Sequence, residues 1–197
     1  MPAQYNALIA PFINEVFYIT SIFGEERPDG QGGIRYHKGL DIATPSSLGN
    51  VPLFSVCNGT IINWRNDDGS GEGYGNYLII KDDESGLAFL YGHLNNFADS
   101  EMYTGRHFEI GEYVGNEGTT GASTGIHLHF EIQDISNRGY WNFQAQISEC
   151  INPAQWMGVP NTQGISIYYD GVPKYKKKRK KFPWVLYAEK LRNKGLA

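Results

Sequence analysis

From Ile126 to Ile132 the chain alternates, with Ile126, Leu128, Phe130 and Ile132 on one side and His127, His129 and Glu131 on the other. A period of two belongs to a half-buried strand, apolar side inward and polar side opposite. Short apolar runs bounded by turn residues recur along the chain. Val16 to Ile22 reads as a first strand, and Glu25 to Gly33, with Pro28, Asp29-Gly30 and Gly32-Gly33, reads as a loop. Tyr36 to Thr44 follows and is stopped by Pro45. Val51 to Val56 and Thr60 to Trp64 read as strands joined at Asn58-Gly59, a hairpin signal. Asn66 to Gly75 reads as a second loop, and Tyr77 to Lys81 with Leu87 to Tyr91 as a second hairpin turning at Asp82 to Gly86. Phe108 to Gly115 is strand-like, and the small residues Gly118 to Gly125 lead into the alternating stretch. Asn152-Pro153-Ala154-Gln155-Trp156 reads as a closing turn.

With no internal repeat and no long helical period, this pattern predicts an all-β, β-rich fold: an antiparallel sheet or barrel-like sandwich with long loops. The 24 glycines, 13 tyrosines and 10 phenylalanines agree with it. A length of 197 residues suits one domain with an appendage, divided here as a domain over 1–158 and a basic C-terminal extension over 159–197. Charge supports that division. From Lys174 onward there are ten Lys/Arg against one acid, and before it seven against twenty, which together return the net −4. The run Lys174 to Lys181 fits attraction to a polyanion such as nucleic acid or to an acidic partner, and equally a solvated tail. The first residues carry no signal-peptide pattern and no run is apolar enough for a membrane span, so a soluble chain made in the cytoplasm is expected. Cys57 and Cys150 belong to no paired motif and read as free thiols.

Candidate chemistry concentrates on histidine. His37 and Asp41 stand four apart with Gly39 between them, and His127 and His129 share one strand face. By itself that face fits either a hydrogen-bonded core pair or an active site. Histidine nitrogens and one carboxylate oxygen are what a catalytic zinc takes from protein, with a fourth position left for water. His37, Asp41 and one of His127 or His129 would supply such a set, leaving His93 and the other histidine for acid–base work.

In order along the chain stand His37-Lys38-Gly39-Leu40-Asp41, Gly73-Tyr74-Gly75-Asn76, Tyr91-Gly92-His93-Leu94 and Gly121-Ala122-Ser123-Thr124-Gly125-Ile126-His127-Leu128-His129-Phe130-Glu131. Together, over roughly Val16 to Trp156, they resemble the lysostaphin/LytM-type zinc peptidases, which cut peptide cross-links in bacterial peptidoglycan. The resemblance implies one zinc held by His37, Asp41 and His129, with His127 as general base and His93 assisting it and steadying the oxyanion. It implies cleavage of a stem peptide or cross-bridge at the cell wall. Zinc would supply hydroxide near neutrality by lowering the pKa of its water from about 16 towards 7.

Two positions depart from the family pattern. Ile126 stands where proline is common, and Tyr36 should turn away from the site, so the family's upstream tyrosine has no counterpart assigned. Every metal and acid–base position is intact, which argues against an inactive member. Without a signal peptide, anchor or wall-binding repeat, a bacteriophage setting is expected, in the virion tail or at lysis. The alternatives are a non-catalytic structural or activator domain of a phage tail, and a zinc peptidase acting on proteins. His107 reads as a surface residue. Glu131 reads either as a partner fixing a histidine tautomer or as a solvated carboxylate, and Asp67, Asp68, Glu72, Asp82, Asp83 and Glu84 as solvated loop charges. Tyr74 and Trp64 read as groove-lining or packing residues.

Overall fold

In the computed structural model, residues 4–169 are described apart from 8, 14, 46–49, 68, 70 and 72; the basic run Lys174 to Lys181 lies outside the described residues. Six strands carry the architecture: β1 (Val16–Ser21), β2 (Gly39–Ala43), β3 (Gly59–Arg65), β4 (Tyr77–Asp82), β5 (Leu87–Gly92) and β6 (Leu128–Asp134). They pair antiparallel in the order β1-β2-β6-β5-β4-β3. Ser166–Tyr168 extends the sheet beyond β1 and pairs parallel with Gln4–Asn6. His107–Phe108 closes the other end, and Cys150–Ile151 pairs with β6. The fold is all-β as the alternation predicts, with one α-helix among the described residues, five residues long at Pro153–Met157.

The alternating stretch becomes the central strand for a physical reason. Leu128, Phe130 and Ile132 are fully buried, packed with Leu40 and Ile42 of β2, Leu78 and Ile80 of β4, and Phe89 and Tyr91 of β5. Phe89 and Phe130 stack 6.1 Å apart, and Trp156 from the helix leans on both at 5.1 and 6.2 Å. Each such buried side chain contributes roughly 1.5–3 kcal/mol, against about 0.5–1.5 kcal/mol net for a hydrogen bond. The apolar side therefore sets the register, and His129, Glu131 and Gln133 follow onto the opposite face. The expected closing turn is that helix, with Asn152 accepting hydrogen bonds from the amides of Ala154 and Gln155.

Several local expectations differ. Glu25 to Gly33 is not simply a loop, because Glu26–Pro28 pairs with Ile34–Tyr36 in a two-stranded hairpin. Asp29 closes its turn, accepting from the amides of Gln31 and Gly33 at 2.8 Å each. Val51 to Trp64 does not form one hairpin. Pro52–Phe54 joins a separate three-stranded sheet with Tyr113–Asn116 and Asn96–Phe97, while β3 pairs with β4. Asn58 is tied to distant turns instead, its carbonyl accepting from the amide of Asp83 and its side chain from the amide of Ile110. Asp82 is buried rather than solvated and accepts from the amides of Glu84 and Ser85 across the turn. His107 is exposed and paired with Asp83 at 2.9 Å, and Trp64 packs edge-on against Phe97. Cys57 and Cys150 are both free. No helix among the described residues is long and apolar enough to cross a membrane.

Candidate metal centre

Two register pairs build the site. His129 of β6 lies opposite Asp41 of β2 on one side and Gly92 of β5 on the other, so strand pairing alone sets one histidine beside the carboxylate. His37 enters from the segment linking the hairpin to β2, and its ring is almost fully buried. The donor atoms converge: His37 Nε2 to Asp41 Oδ1 is 3.1 Å, His129 Nδ1 to Asp41 Oδ1 is 2.9 Å, and His37 Nε2 to His129 Nδ1 is 3.1 Å. Tetrahedral ligands 2.0–2.1 Å from a zinc stand about 3.3–3.4 Å apart, so a few tenths of an ångström separate this triangle from a capped one. Among the described residues this is the one cluster of three such side chains able to hold a metal ion.

Each donor is aimed by a bond to its other side. His37 Nδ1 donates to the Ile22 carbonyl at 2.8 Å, which leaves the Nε2 lone pair facing the cluster. Asp41 Oδ2 accepts from Arg27 at 3.1 Å. His129 Nε2 faces Glu131 Oε2 at 3.5 Å, and Glu131 is held in turn by the Tyr74 hydroxyl at 2.8 Å and by Gln133 at 3.0 Å. Glu131 is fully buried, so of its two expected readings the structure selects the histidine partner. Tyr74 both packs and positions: its ring lies 5.2 Å from that of His129 and 6.4 Å from Phe143.

The electrostatics follow from these contacts. Burial holds the His37 ring below the usual imidazole range despite its bond to Asp41. Burial would raise Asp41, but hydrogen bonds from His129 and His37 hold it well below the usual carboxylate range. Burial likewise opposes charge on His129, yet its bonds to Asp41 and Glu131 raise it to about 9. The bonds to Asp41 and Glu131 thus favour the protonated form of His129, in which Nδ1 donates to Asp41.

The other two histidines face this cluster from flanking loops. His127 precedes β6, in a bridge with Gly118, and its Nε2 lies 3.6 Å from Asp41 Oδ1. Its Nδ1 donates to the Gly125 carbonyl at 2.8 Å. His93 follows β5 with φ of 62°, the one positive value outside glycine among the described residues, and such backbone strain gathers at functional sites. Its Nδ1 donates to the Thr120 carbonyl at 2.8 Å, and its ring lies 4.8 Å from that of His127. Burial, with His129 and His127 nearby, lowers His93 to about 4. In both rings the carbonyl holds an N–H on Nδ1.

The loops are locked backbone to backbone. A Cβ on Gly75 would stand 2.3 Å from the Thr120 carbonyl carbon, and one on Gly121 2.2 Å from the Gly75 amide nitrogen. That contact accounts for Gly75 and Gly121, one in each loop motif, and delivers the Thr120 carbonyl to His93. All five residues singled out as chemical, His37, Asp41, His93, His127 and His129, meet here. Sequence reasoning missed Arg27, which sits in a stretch read as loop, and the carbonyls of Ile22, Gly125 and Thr120, which no side-chain pattern reveals.

Residues 35–142 match the model of Peptidase family M23. Over 99 residues, 50% of this chain and 20% of the relative, the chain is 36% identical to the DD-carboxypeptidase/endopeptidase Mpg of Neisseria meningitidis serogroup B. It is 33% identical over 115 residues to the peptidoglycan DD-endopeptidase ShyB of Vibrio cholerae serotype O1, 58% of this chain and 24% of that one. The chain thus spans a fifth to a quarter of the length of these curated relatives. Among solved structures, the lysostaphin catalytic domain from Staphylococcus simulans superposes with a TM-score of 0.55 at 22% identity, over 72% of this chain and 92% of that one, a likeness of fold. The catalytic domain of a point variant of the prophage-encoded M23 protein EnpA from Enterococcus faecalis gives 0.52 at 28% identity, over 74% and 95%. The family match takes in more than half of the chain and includes His37, Asp41, His93, His127 and His129, and the protein belongs to peptidase family M23.

Proposed function

We propose that this chain is a zinc-dependent endopeptidase that hydrolyses peptide bonds in bacterial peptidoglycan, in a stem peptide or a cross-bridge. The observation that carries the reading is three donor atoms within 3.1 Å of one another with the Nε2 of a fourth residue, His127, 3.6 Å from the carboxylate oxygen. His37 Nε2, Asp41 Oδ1 and His129 Nδ1 would hold the ion. Zinc there supplies Lewis acidity, which makes water acidic enough to act near neutrality and polarises an amide carbonyl.

The chain's own residues do the rest. The Gly125 carbonyl keeps the His127 proton on Nδ1, so its Nε2 can take a proton from water attacking the amide carbon and later pass it to the leaving amine. His93, neutral and bonded through Nδ1 to Thr120, also presents a lone pair. It can share with His127 the one proton released by that water, and would donate to an oxyanion only while it holds that proton, before the proton passes to the leaving amine. Glu131, Tyr74 and the Ile22 carbonyl move nothing and keep the ligand rings aimed.

The substrate reading draws support from the relatives named as peptidoglycan or DD-endopeptidases. The same two-histidine, one-carboxylate set also suits iron(II), and elemental analysis of the purified protein separates the two. In this reading 1–158 carries the catalytic residues, Ser166–Tyr168 completes their sheet, and the basic run of the extension 159–197 attracts an anionic wall polymer or a phage structural protein. The likeness to a prophage-encoded protein supports a bacteriophage setting, and mass spectrometry of purified virions tests that part. The enzymatic test is release of free amino groups from purified sacculi by the zinc-loaded chain, with His127→Ala as control. No release from any cross-bridge type overturns the reading, and a glycine-rich protein substrate tested beside the sacculi then separates a peptidase acting on proteins from a non-catalytic domain.

A further inference from the structure

We propose that Arg27 is a positioning residue of the metal centre: by holding Asp41 Oδ2 it leaves Oδ1 as the single carboxylate atom offered beside His37 and His129. The inference rests on the metal-site reading above. Arg27 lies on the strand Glu26–Pro28 and reaches Asp41 Oδ2 with Nη2 at 3.1 Å, where the Asp41 side chain is 11% exposed. Its Nε donates to Glu25 Oε2 at 3.0 Å, and Nη2 also bonds the Ser21 hydroxyl. Ser21 Oγ in turn lies 3.3 Å from His37 Nδ1 and bonds Glu25. The hairpin is thereby tied to two of the three candidate ligands through one guanidinium.

A carboxylate on a short side chain offers two equivalent oxygens and can turn either or both toward an ion. Here the two are distinguished. Oδ2 is committed to Arg27, while Oδ1 faces His37, His129 and His127. A single aimed oxygen leaves one position of a four-coordinate ion open, which catalysis requires. The guanidinium is also a positive charge near a cation, which by itself weakens metal binding. Glu25 lies 3.0 Å from the same guanidinium and offsets that charge, so the aiming effect dominates. A lysine keeps the charge and loses the planar fork that spans Glu25, Ser21 and Asp41.

The test is zinc affinity of the full chain by chelator competition, for wild type, Arg27→Met and Arg27→Lys, each also in an Asp41→Asn background. Removing a partner that orients a ligand typically weakens metal binding 10–100-fold. That loss is expected for Arg27→Met, with Arg27→Lys recovering only a small part. In the Asp41→Asn background the same change should cost less than about threefold, because the atom it acts through is gone. A merely structural role predicts equal losses in both backgrounds, and that result overturns the proposal, as does Arg27→Met binding within twofold of wild type. A wild-type chain that binds no metal overturns the reading of the site and this inference with it.

Discussion

Gly39 is where a single methyl group tests the geometry of the metal centre most severely. An alanine Cβ there would stand 2.6 Å from His129 Cε1, 2.7 Å from His129 Nε2 and 2.8 Å from the Phe130 carbonyl oxygen. Ordinary carbon contacts are about 3.5–4.0 Å, so the overlap is near 1 Å against three atoms at once. The ring cannot swing aside cheaply, because Asp41 holds one nitrogen and Glu131 faces the other. The backbone at Gly39 lies outside the left-handed region, so steric overlap is the whole effect. Overpacking costs about 1–3 kcal/mol, and Gly→Ala returns about 0.4–1 kcal/mol through the unfolded chain. A net loss of about 1–2 kcal/mol lowers Tm by about 2–8 °C. The larger consequence is at His129, whose displacement should weaken zinc binding by about 10–100-fold. Differential scanning calorimetry and chelator competition on Gly39→Ala measure both. Zinc affinity within twofold of wild type, together with an unchanged Tm, would refute the packing argument.

Glu131→Gln preserves shape and removes the charge facing His129 Nε2, so zinc affinity should fall about 10–100-fold; an affinity equal to wild type would dismiss Glu131 as a positioning group. The two histidines of the alternating stretch should fail differently. His129→Ala loses zinc, whereas His127→Ala keeps it in elemental analysis and loses about 10²–10⁴ in turnover; activity near wild type for His127→Ala would sink the assignment of the base. For the metal-free protein the pH sign follows from His129, raised from an ordinary 6.5 to about 9 by Asp41 and Glu131 against the cost of burial. Its stabilisation is full below about 6.5 and is lost as pH rises through about 9. The Tm of the apo-protein should therefore fall between pH 7 and 10, while zinc affinity rises over the same window as the competing proton leaves. Calorimetry at pH 7 in buffers of different ionisation enthalpy should show about one proton released per zinc, and zero release contradicts the charge state drawn here.

Local sequence disclosed the site better than its surroundings. The period of two over Ile126 to Ile132 located β6 and aimed His129 of that strand and His127 just before it toward one site, because burial of Leu128, Phe130 and Ile132 dominates the local energetics. The same period implied a strand buried on one side only, and left open whether Glu131 is solvated. In the structure His129, Glu131 and Gln133 are buried too, since Tyr74 and the segment around Asn142 cover them. That cover comes from residues remote in sequence, which no local period can report. Arg27 was invisible for the same reason. Its partner is fourteen residues away, and the short strand that carries it has no buried apolar alternation to announce it. Asp82 looked like one more acid in a run of them, and only its capping of the Glu84 and Ser85 amides distinguishes it. Pro52–Phe54 was misassigned because a hairpin signal at Asn58-Gly59 says that the chain turns and not which strand receives it.

The strand Ser166–Tyr168 bears on how the protein should be handled in solution. It covers the outer side of β1, which pairs directly with the strand bearing Asp41. A version cut after Gly158 would strip that cover and convert β1 from an internal strand into an open edge with unpaired amides and carbonyls. Exposed edges of this kind recruit other chains. Such a version should self-associate as concentration rises, and its losses of activity would be misread as losses of chemistry. Shortened forms meant to isolate the catalytic unit should keep the chain through Tyr169.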